Sequence, residues 1–212
     1  MMENAGLNIA RTMHTLYPKT KQVIILAGQG NNGGGGLNAA RRLHNWGYNI
    51  TIMLPVIQES LKESTLHQLK TLKQLKIPIK EIRELEDLPD IKQTEEYIII
   101  DSLLGYSLKG QPRENYALLI KWANKTNIKI ISLDLPSGIS AITGEVFTPT
   151  IKADCTVTLA LPKSVFQKTR VKEKIGKLLL ADISVPYNLY EEMGLKVEKN
   201  LFRSSSILEV KL

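Results

Sequence analysis

The chain has 212 residues, 43% of them apolar, enough to bury both faces of one sheet within a single domain spanning 1–212. A net charge of +7 turns its surface toward anions such as nucleotides, and a lone cysteine, Cys155, excludes a disulfide scaffold and fits a reducing compartment. No apolar run is long enough to cross a bilayer and the start, MMENAGLNIARTMH, lacks the pattern of a secretion signal, so a cytoplasmic protein with no membrane partner is expected.

In chain order, the spacing of apolar residues predicts a helix over 3–16 and a β-branched strand over 23–26. A glycine-rich run follows, then a helix over 36–45 with Leu37, Ala40 and Leu43 facing inward. A strand over 50–53 leads to a long helix over 59–76, and the acidic segment 81–95, carrying Pro89, reads as a connection with one short helical turn. Next come a strand over 97–100, a helix over 114–124 whose Leu118, Leu119 and Trp122 share a face, and a strand over 128–131. Trp46 and Trp122 are expected in the core. Strands over 156–159 and 178–180 bracket the densest basic stretch, Lys163, Lys168, Arg170, Lys172, Lys174 and Lys177. With Phe166 its one aromatic residue, it is expected to be a solvated loop, and nucleic acid is not an expected partner. From Phe202 onward, Arg203-Ser204-Ser205-Ser206 reads as a tail or the start of a linker. His14, His44 and His67 share no zinc-binding spacing with carboxylates or Cys155. The alternation of strands and helices predicts an α/β fold, a Rossmann-like three-layer αβα sandwich with a mostly parallel sheet.

The strongest chemical signal is Gly28-Gln29-Gly30-Asn31-Asn32-Gly33-Gly34-Gly35-Gly36, directly after the first strand and before a helix. Glycines let a backbone approach a ligand closely, and N–H groups exposed at a helix start attract an anion, so a phosphate-binding turn is expected. The paired asparagines are foreign to a dehydrogenase fingerprint and no GK[ST] makes a Walker loop. Met53-Leu54-Pro55-Val56, after the second strand, also lacks an acidic residue to hold a ribose. Two further strands end in Asp101 and Asp134. The carboxyl ends of strands line the ligand crevice of an open parallel sheet, so the turn and both carboxylates are expected to converge there; for either carboxylate alone, helix capping is the plain alternative.

Five blocks in order carry a resemblance. Met2-Glu3-Asn4-Ala5-Gly6 resembles M-E-x-A-G, 28–37 resembles G-N-G-N-N-G-G-D-G-L, and 101–110 resembles D-A-x-F-G-x-G-x-x-G. Asp134-Leu135-Pro136-Ser137-Gly138 resembles D-I-P-S-G, and Leu161-Pro162-Lys163 resembles A-P-K. These are blocks of the NAD(P)H-hydrate epimerase family, and the similarity runs over nearly the whole chain. The resemblance implies a metabolite-repair isomerase that interconverts R and S forms of NADHX and NADPHX, dinucleotides in which water has added across a double bond of the dihydronicotinamide ring. It implies that Asn31, Asn32, Gly33, Gly34, Gly35, Gly105, Tyr106, Ser107, Leu108, Lys109, Gly110, Gln111 and Asp134 contact this substrate. It also implies a potassium ion at Asn32, Asp101 and Ser137, whose oxygen atoms suit a hard cation. Inverting the carbinolamine carbon requires loss and readdition of its oxygen, or ring opening and reclosure. Both need proton transfer at that oxygen, for which Asp134 is the candidate acid/base. Lys109 and Arg113 are candidates for phosphate pairing. A homodimer and coupling to an NAD(P)HX dehydratase, fused C-terminally in many family members, are further implications. Gln29 departs from the family's asparagine and Gly35 from its aspartate. Loss of that carboxylate leads to the expectation of an impaired epimerase, with a nucleotide-binding or dimerising scaffold of the same fold as the alternative.

Overall fold

The structure, a computed structural model, describes residues 1–91 and 96–212. In chain order its strands are β1 (Gln22–Ala27), β2 (Asn49–Leu54), β3 (Ile79–Glu81), β4 (Tyr97–Ser102), β5 (Ile130–Leu133), β6 (Cys155–Leu159), β7 (Lys177–Ala181) and β8 (Ile207–Glu209). Its helices are α1 (Met2–Leu16), α2 (Asn31–Asn45), α3 (Glu63–Gln74), α4 (Glu114–Lys125), α5 (Thr169–Ile175) and α6 (Tyr187–Glu192). The strands form one sheet in the order β3-β2-β1-β4-β5-β6-β7-β8, parallel except where β7 meets β8.

The inner strands are aliphatic on both faces because successive side chains of a strand point to opposite sides and both sides are covered. Along β1, Val23 and Ile25 join Ile9 of α1, Leu37 and Leu43 of α2 and Leu69 of α3 in one apolar cluster. Ile24 and Leu26 join Leu119, Ile120 and Ala123 of α4 on the other face. Full burial of each such side chain contributes about 1.5–3 kcal/mol, so the helices are held to the sheet mainly by this period-two division of its side chains. The result is the α/β three-layer arrangement that the alternation predicts. Among the described residues no helix is long and apolar enough to cross a membrane.

The sheet grows from β1 in two directions. β2 and β3 extend one side, then the chain returns and lays β4 on the other, so the C-terminal ends of β1 and β4 meet at a topological switch point.

Several elements depart from expectation. α2 begins at Asn31, so the glycine run is helical, and α3 is shorter than the predicted 59–76, with a separate 3₁₀ turn at Gln58–Ser60 before it. β5 lies two residues later than predicted, at Ile130–Leu133. The stretch from Phe202 is no mere tail: it contains β8, paired with β7 from Leu179↔Glu209 to Ala181↔Ile207. Trp46, expected in the core, is 43% exposed at the end of α2, edge-on to the His14 ring. Trp122 is half-buried, donating its indole N–H to the Pro89 carbonyl at 3.1 Å. The acidic connection does hold a short turn, Leu85–Asp87, in which Asp87 accepts the Arg83 and Glu84 N–H groups; the end of that expected segment, 92–95, lies outside the described residues.

Candidate functional site

Close packing shapes the turn between β1 and α2. A Cβ built on Gly28 would lie 1.8 Å from the Leu103 carbonyl oxygen, and one on Gly33 would lie 1.8 Å from the Gly28 oxygen, so only glycine fits either place. The turn is anchored from α3, where the Lys62 N–H donates to the Gln29 carbonyl at 3.0 Å and the Thr65 hydroxyl to the Gly30 carbonyl at 2.9 Å. The Ser64 hydroxyl donates to Asn31 Oδ1 at 3.1 Å, and the Gln29 N–H to the Tyr116 hydroxyl at 3.1 Å. The Gly34 N–H closes the first helical bond on the Gly30 carbonyl at 3.1 Å. That leaves the N–H groups of Asn31, Asn32 and Gly33 without intrahelical partners, the arrangement at a helix start that attracts an anion.

Gly34 and Gly35 sit deeper. A Cβ on Gly34 would meet the Met2 thioether, and one on Gly35 would meet Leu133 Cδ2 at 2.7 Å and Ala5 Cβ at 3.8 Å. An aspartate at 35 would therefore leave the backbone toward the apolar interior.

β4 carries Asp101 to its C-terminal end, where it is completely buried. Its Oδ1 accepts from the Leu103 N–H at 3.2 Å and the Ser137 hydroxyl at 2.6 Å; its Oδ2 accepts from the Ser132 hydroxyl at 2.8 Å and the Ser137 N–H at 2.9 Å. Burial pushes this carboxyl above the usual range, while the donors from Ser137, Ser132 and Leu103 pull the other way. Ser137 Oγ also accepts from the Leu104 N–H at 2.9 Å, which locks the loop after β4 to the turn after β5. Asn32 touches that loop: a Cβ on Gly105 would lie 3.1 Å from Asn32 Cγ. Asn32 Nδ2 is buried without a hydrogen-bond partner among the described residues. The structure thus joins Asp101 directly to Ser137 and brings Asn32 against the loop that both hold.

Beyond Gly105 the loop runs along the rim. Tyr106 is 60% exposed; Ser107, Lys109, Gly110 and Gln111 are exposed and Leu108 half-buried. Lys109 and Arg113 make no ion pair among the described residues, which leaves both available to phosphates without tying them to any. A concavity of about 610 Å³, lined in part by Met2, Glu63, Ser64 and His67, adjoins Asn31 through Ser64 and includes neither Asp101 nor Asp134.

Asp134 follows β5 with φ +71°, a left-handed conformation that a non-glycine residue adopts at a cost. Its N–H donates to the Val157 carbonyl at 2.8 Å, and the residue is 8% exposed. Lys163 Nζ pairs with Asp134 Oδ1 and donates to Thr158 Oγ1 at 2.8 Å and to the Leu159 carbonyl at 3.1 Å. The Leu159 N–H approaches the same Oδ1 at 3.4 Å. Among the described residues nothing donates to Oδ2. Lys163 belongs both to the A-P-K block and to the basic stretch expected to be solvated; its place just past the end of β6 is what sets it apart.

The order of these features is that of known proteins: residues 1–165 match the family described as YjeF-related protein N-terminus. The chain belongs to that family. It is 38% identical over 200 residues to the NAD(P)H-hydrate epimerase of Dehalogenimonas lykanthroporepellens, covering 92% of this chain and 77% of that protein. It is 34% identical over 187 residues to the bifunctional NAD(P)H-hydrate repair enzyme Nnr of Hyperthermus butylicus, where the match takes in 88% of this chain but 34% of the longer relative. The crystal structure of yeast ynu0, YNL200c, superposes with a TM-score of 0.79 at 26% identity, covering 99% of this chain and 89% of that one. The fold of that structure is therefore shared over essentially the full length of this chain.

Proposed function

We propose that this chain is an NAD(P)H-hydrate epimerase that interconverts R and S forms of NADHX and NADPHX, with Asp134 as acid/base. The observation that carries the reading is a nearly buried carboxylate with one unengaged oxygen, at the same sheet end as the switch point and its glycine turn. The identity to relatives named as epimerases supports it. The N–H groups of Asn31, Asn32 and Gly33 receive the dinucleotide phosphates, and the rim residues 105–111 border the rest of it.

Asn32, Asp101 and Ser137 are the residues that would hold potassium. They fit a hard cation in two respects: Asp101 is a buried carboxylate with no cationic partner among the described residues, and the Asn32 amide has an unpartnered buried atom, which half a turn of the amide makes an oxygen. A bound ion would neutralise the buried charge and fix the loop after β4 against the glycine turn. The S product suits a dehydratase acting on the same hydrate, consistent with relatives named as bifunctional repair enzymes.

The test is to incubate the protein with R-NADPHX and follow the R to S ratio by chromatography above the uncatalysed rate, in potassium and in lithium salts. Inversion is expected, faster in potassium. In Asp134→Asn it should fall by about 100-fold or more, in line with the ~10²–10⁴ that positioned proton transfer supplies, while binding of a nicotinamide dinucleotide is retained. Turnover of the variant within a few-fold of the parent would remove Asp134 from its role; equal rates in the two salts would remove the ion.

A further inference from the structure

We infer that Lys163 occupies one oxygen of Asp134 and leaves it a single working oxygen, and that inversion at this site therefore runs by opening and reclosing the hydrated nicotinamide ring, without loss of its hydroxyl oxygen. The inference rests on the epimerase reading and chooses between the two routes which that reading leaves open.

An ammonium has three N–H donors. Those of Lys163 meet three acceptors, Asp134 Oδ1, Thr158 Oγ1 and the Leu159 carbonyl. The side chains of the pair are 15% and 11% exposed, so water does little to replace any partner lost. Lys163 is thus a fixed counter-charge, since passing a proton to substrate would strip the arrangement of a donor. Both it and the Leu159 N–H fall on Oδ1, which leaves Oδ2 to work. Asp101, a second carboxylate at this end of the sheet, is fully buried with both oxygens engaged.

Loss and readdition of the oxygen begins with an acid, because the leaving hydroxyl group must be protonated as its bond to carbon breaks. A carboxylate paired with a saturated ammonium is not that acid. Ring opening begins with a base, and the electrons balance with no other reactant. Asp134 Oδ2 takes the hydroxyl proton, the oxygen's electron pair becomes the second bond of an aldehyde, and the bond from that carbon to the ring nitrogen breaks. Its electron pair passes to the nitrogen, which is conjugated through the remaining ring double bond with the carboxamide. The aldehyde turns, the nitrogen attacks its opposite face, and the Asp134 carboxyl, beside an ammonium, returns the proton to the new alkoxide. Lys163 acts through Asp134 as a positioning residue.

Running R-NADPHX with the protein in ¹⁸O-water and weighing the S product by mass spectrometry tests the route. The expected product carries no solvent oxygen beyond that of the uncatalysed control. One solvent oxygen per inversion overturns the inference and leaves the epimerase reading standing, whereas no inversion overturns that reading and the inference with it. Lys163→Met should lower kcat by about tenfold or more with KM little changed, the pattern of an interaction that matters in the transition state. Its residual turnover should gain solvent oxygen, because the counter-charge that keeps the carboxyl from serving as the acid is gone. Lys163→Arg, which keeps the charge, should restore label-free inversion. A purely structural lysine would leave the label unmoved, and a Lys163→Met protein with parental rate and no label would take Lys163 out of the mechanism.

Discussion

At position 35 the direction of one missing Cβ outweighs the motif around it. Compared with the family pattern, Gly35→Asp looks like a repair that should tighten nucleotide binding. Yet the new Cβ would start 2.7 Å from Leu133 Cδ2, and the carboxylate would begin its path among Leu133 and Ala5. Leu133 Cδ2 is the end of a flexible side chain, so its rotation relieves much of this contact, and the main cost is an apolar setting for the charge. The expected outcome is a lower denaturation midpoint in urea and no gain in dinucleotide affinity. Tighter binding at an unchanged midpoint would show that Leu133 yields and the carboxylate emerges at the ligand. Cys155 is simpler: burial pushes its thiol up to about 12, the signature of an inert core cysteine.

At the scale of elements, α2 shows where sequence reasoning stops. Each glycine in a helix interior is about 0.8–1 kcal/mol less favourable than alanine, so a run of them reads as loop. Packing reverses this: a Cβ on Gly36 would lie 1.9 Å from Ser102 Oγ, which itself donates to the Leu26 carbonyl at 2.8 Å. The helix needs glycine because it lies almost on β4. Asp101, Asp134 and the turn were legible because each follows an apolar strand and precedes glycine or proline. Lys163 was not, because a lysine 29 residues beyond its partner looks like any surface cation. β3 and β8, at three residues each, are too short for alternation to register.

The docking of α1 on α2 carries a pH signature. Glu3 accepts from Arg41 Nη2 at 2.7 Å on both oxygens and from Arg42 Nη2 at 2.7 Å. Partial burial pushes its carboxyl up, but the neighbouring Asn38 amide and the Arg41 and Arg42 charges outweigh this and hold it below its ordinary value. A depressed folded-state value means stability that is present above the unfolded-state value and lost as pH falls through the folded one. Glu3→Gln should therefore be less stable than the parent at neutral pH, with the gap closing as acid protonates Glu3. The pair is half exposed, so the effect is small. Melting temperatures across a series from neutral to acid pH decide it: a gap of constant size would mean that the charge of Glu3 contributes nothing.

For the whole molecule, the segment that reads as a tail closes the sheet. β8 covers the edge of β7, Ile207 packs against the cluster under α1, and Lys177 pairs with Glu209 across the strands at 2.9 Å. The same segment reaches α1: Asn8, 2% exposed, accepts from the Ser206 hydroxyl at 2.9 Å and donates to the Asp182 carbonyl at 2.6 Å. Because α1 is clamped to α2, and α2 begins at the glycine turn, β8 supports the site from a distance without touching it. Removing residues 203–212 would uncover the backbone groups of β7 along an aliphatic edge, which invites pairing with another chain, and would leave a buried Asn8 acceptor unmet at a cost of about 1–3 kcal/mol. The shortened protein should melt at lower temperature and associate with rising concentration in light scattering. Its inversion rate per folded molecule should stay near the parent's, since Asp134, Lys163 and Asp101 keep every partner described. An unchanged melting temperature with a monodisperse solution would show that β8 is dispensable; a lost rate in well-folded protein would show instead that the clamp through α1 and α2 shapes the glycine turn itself.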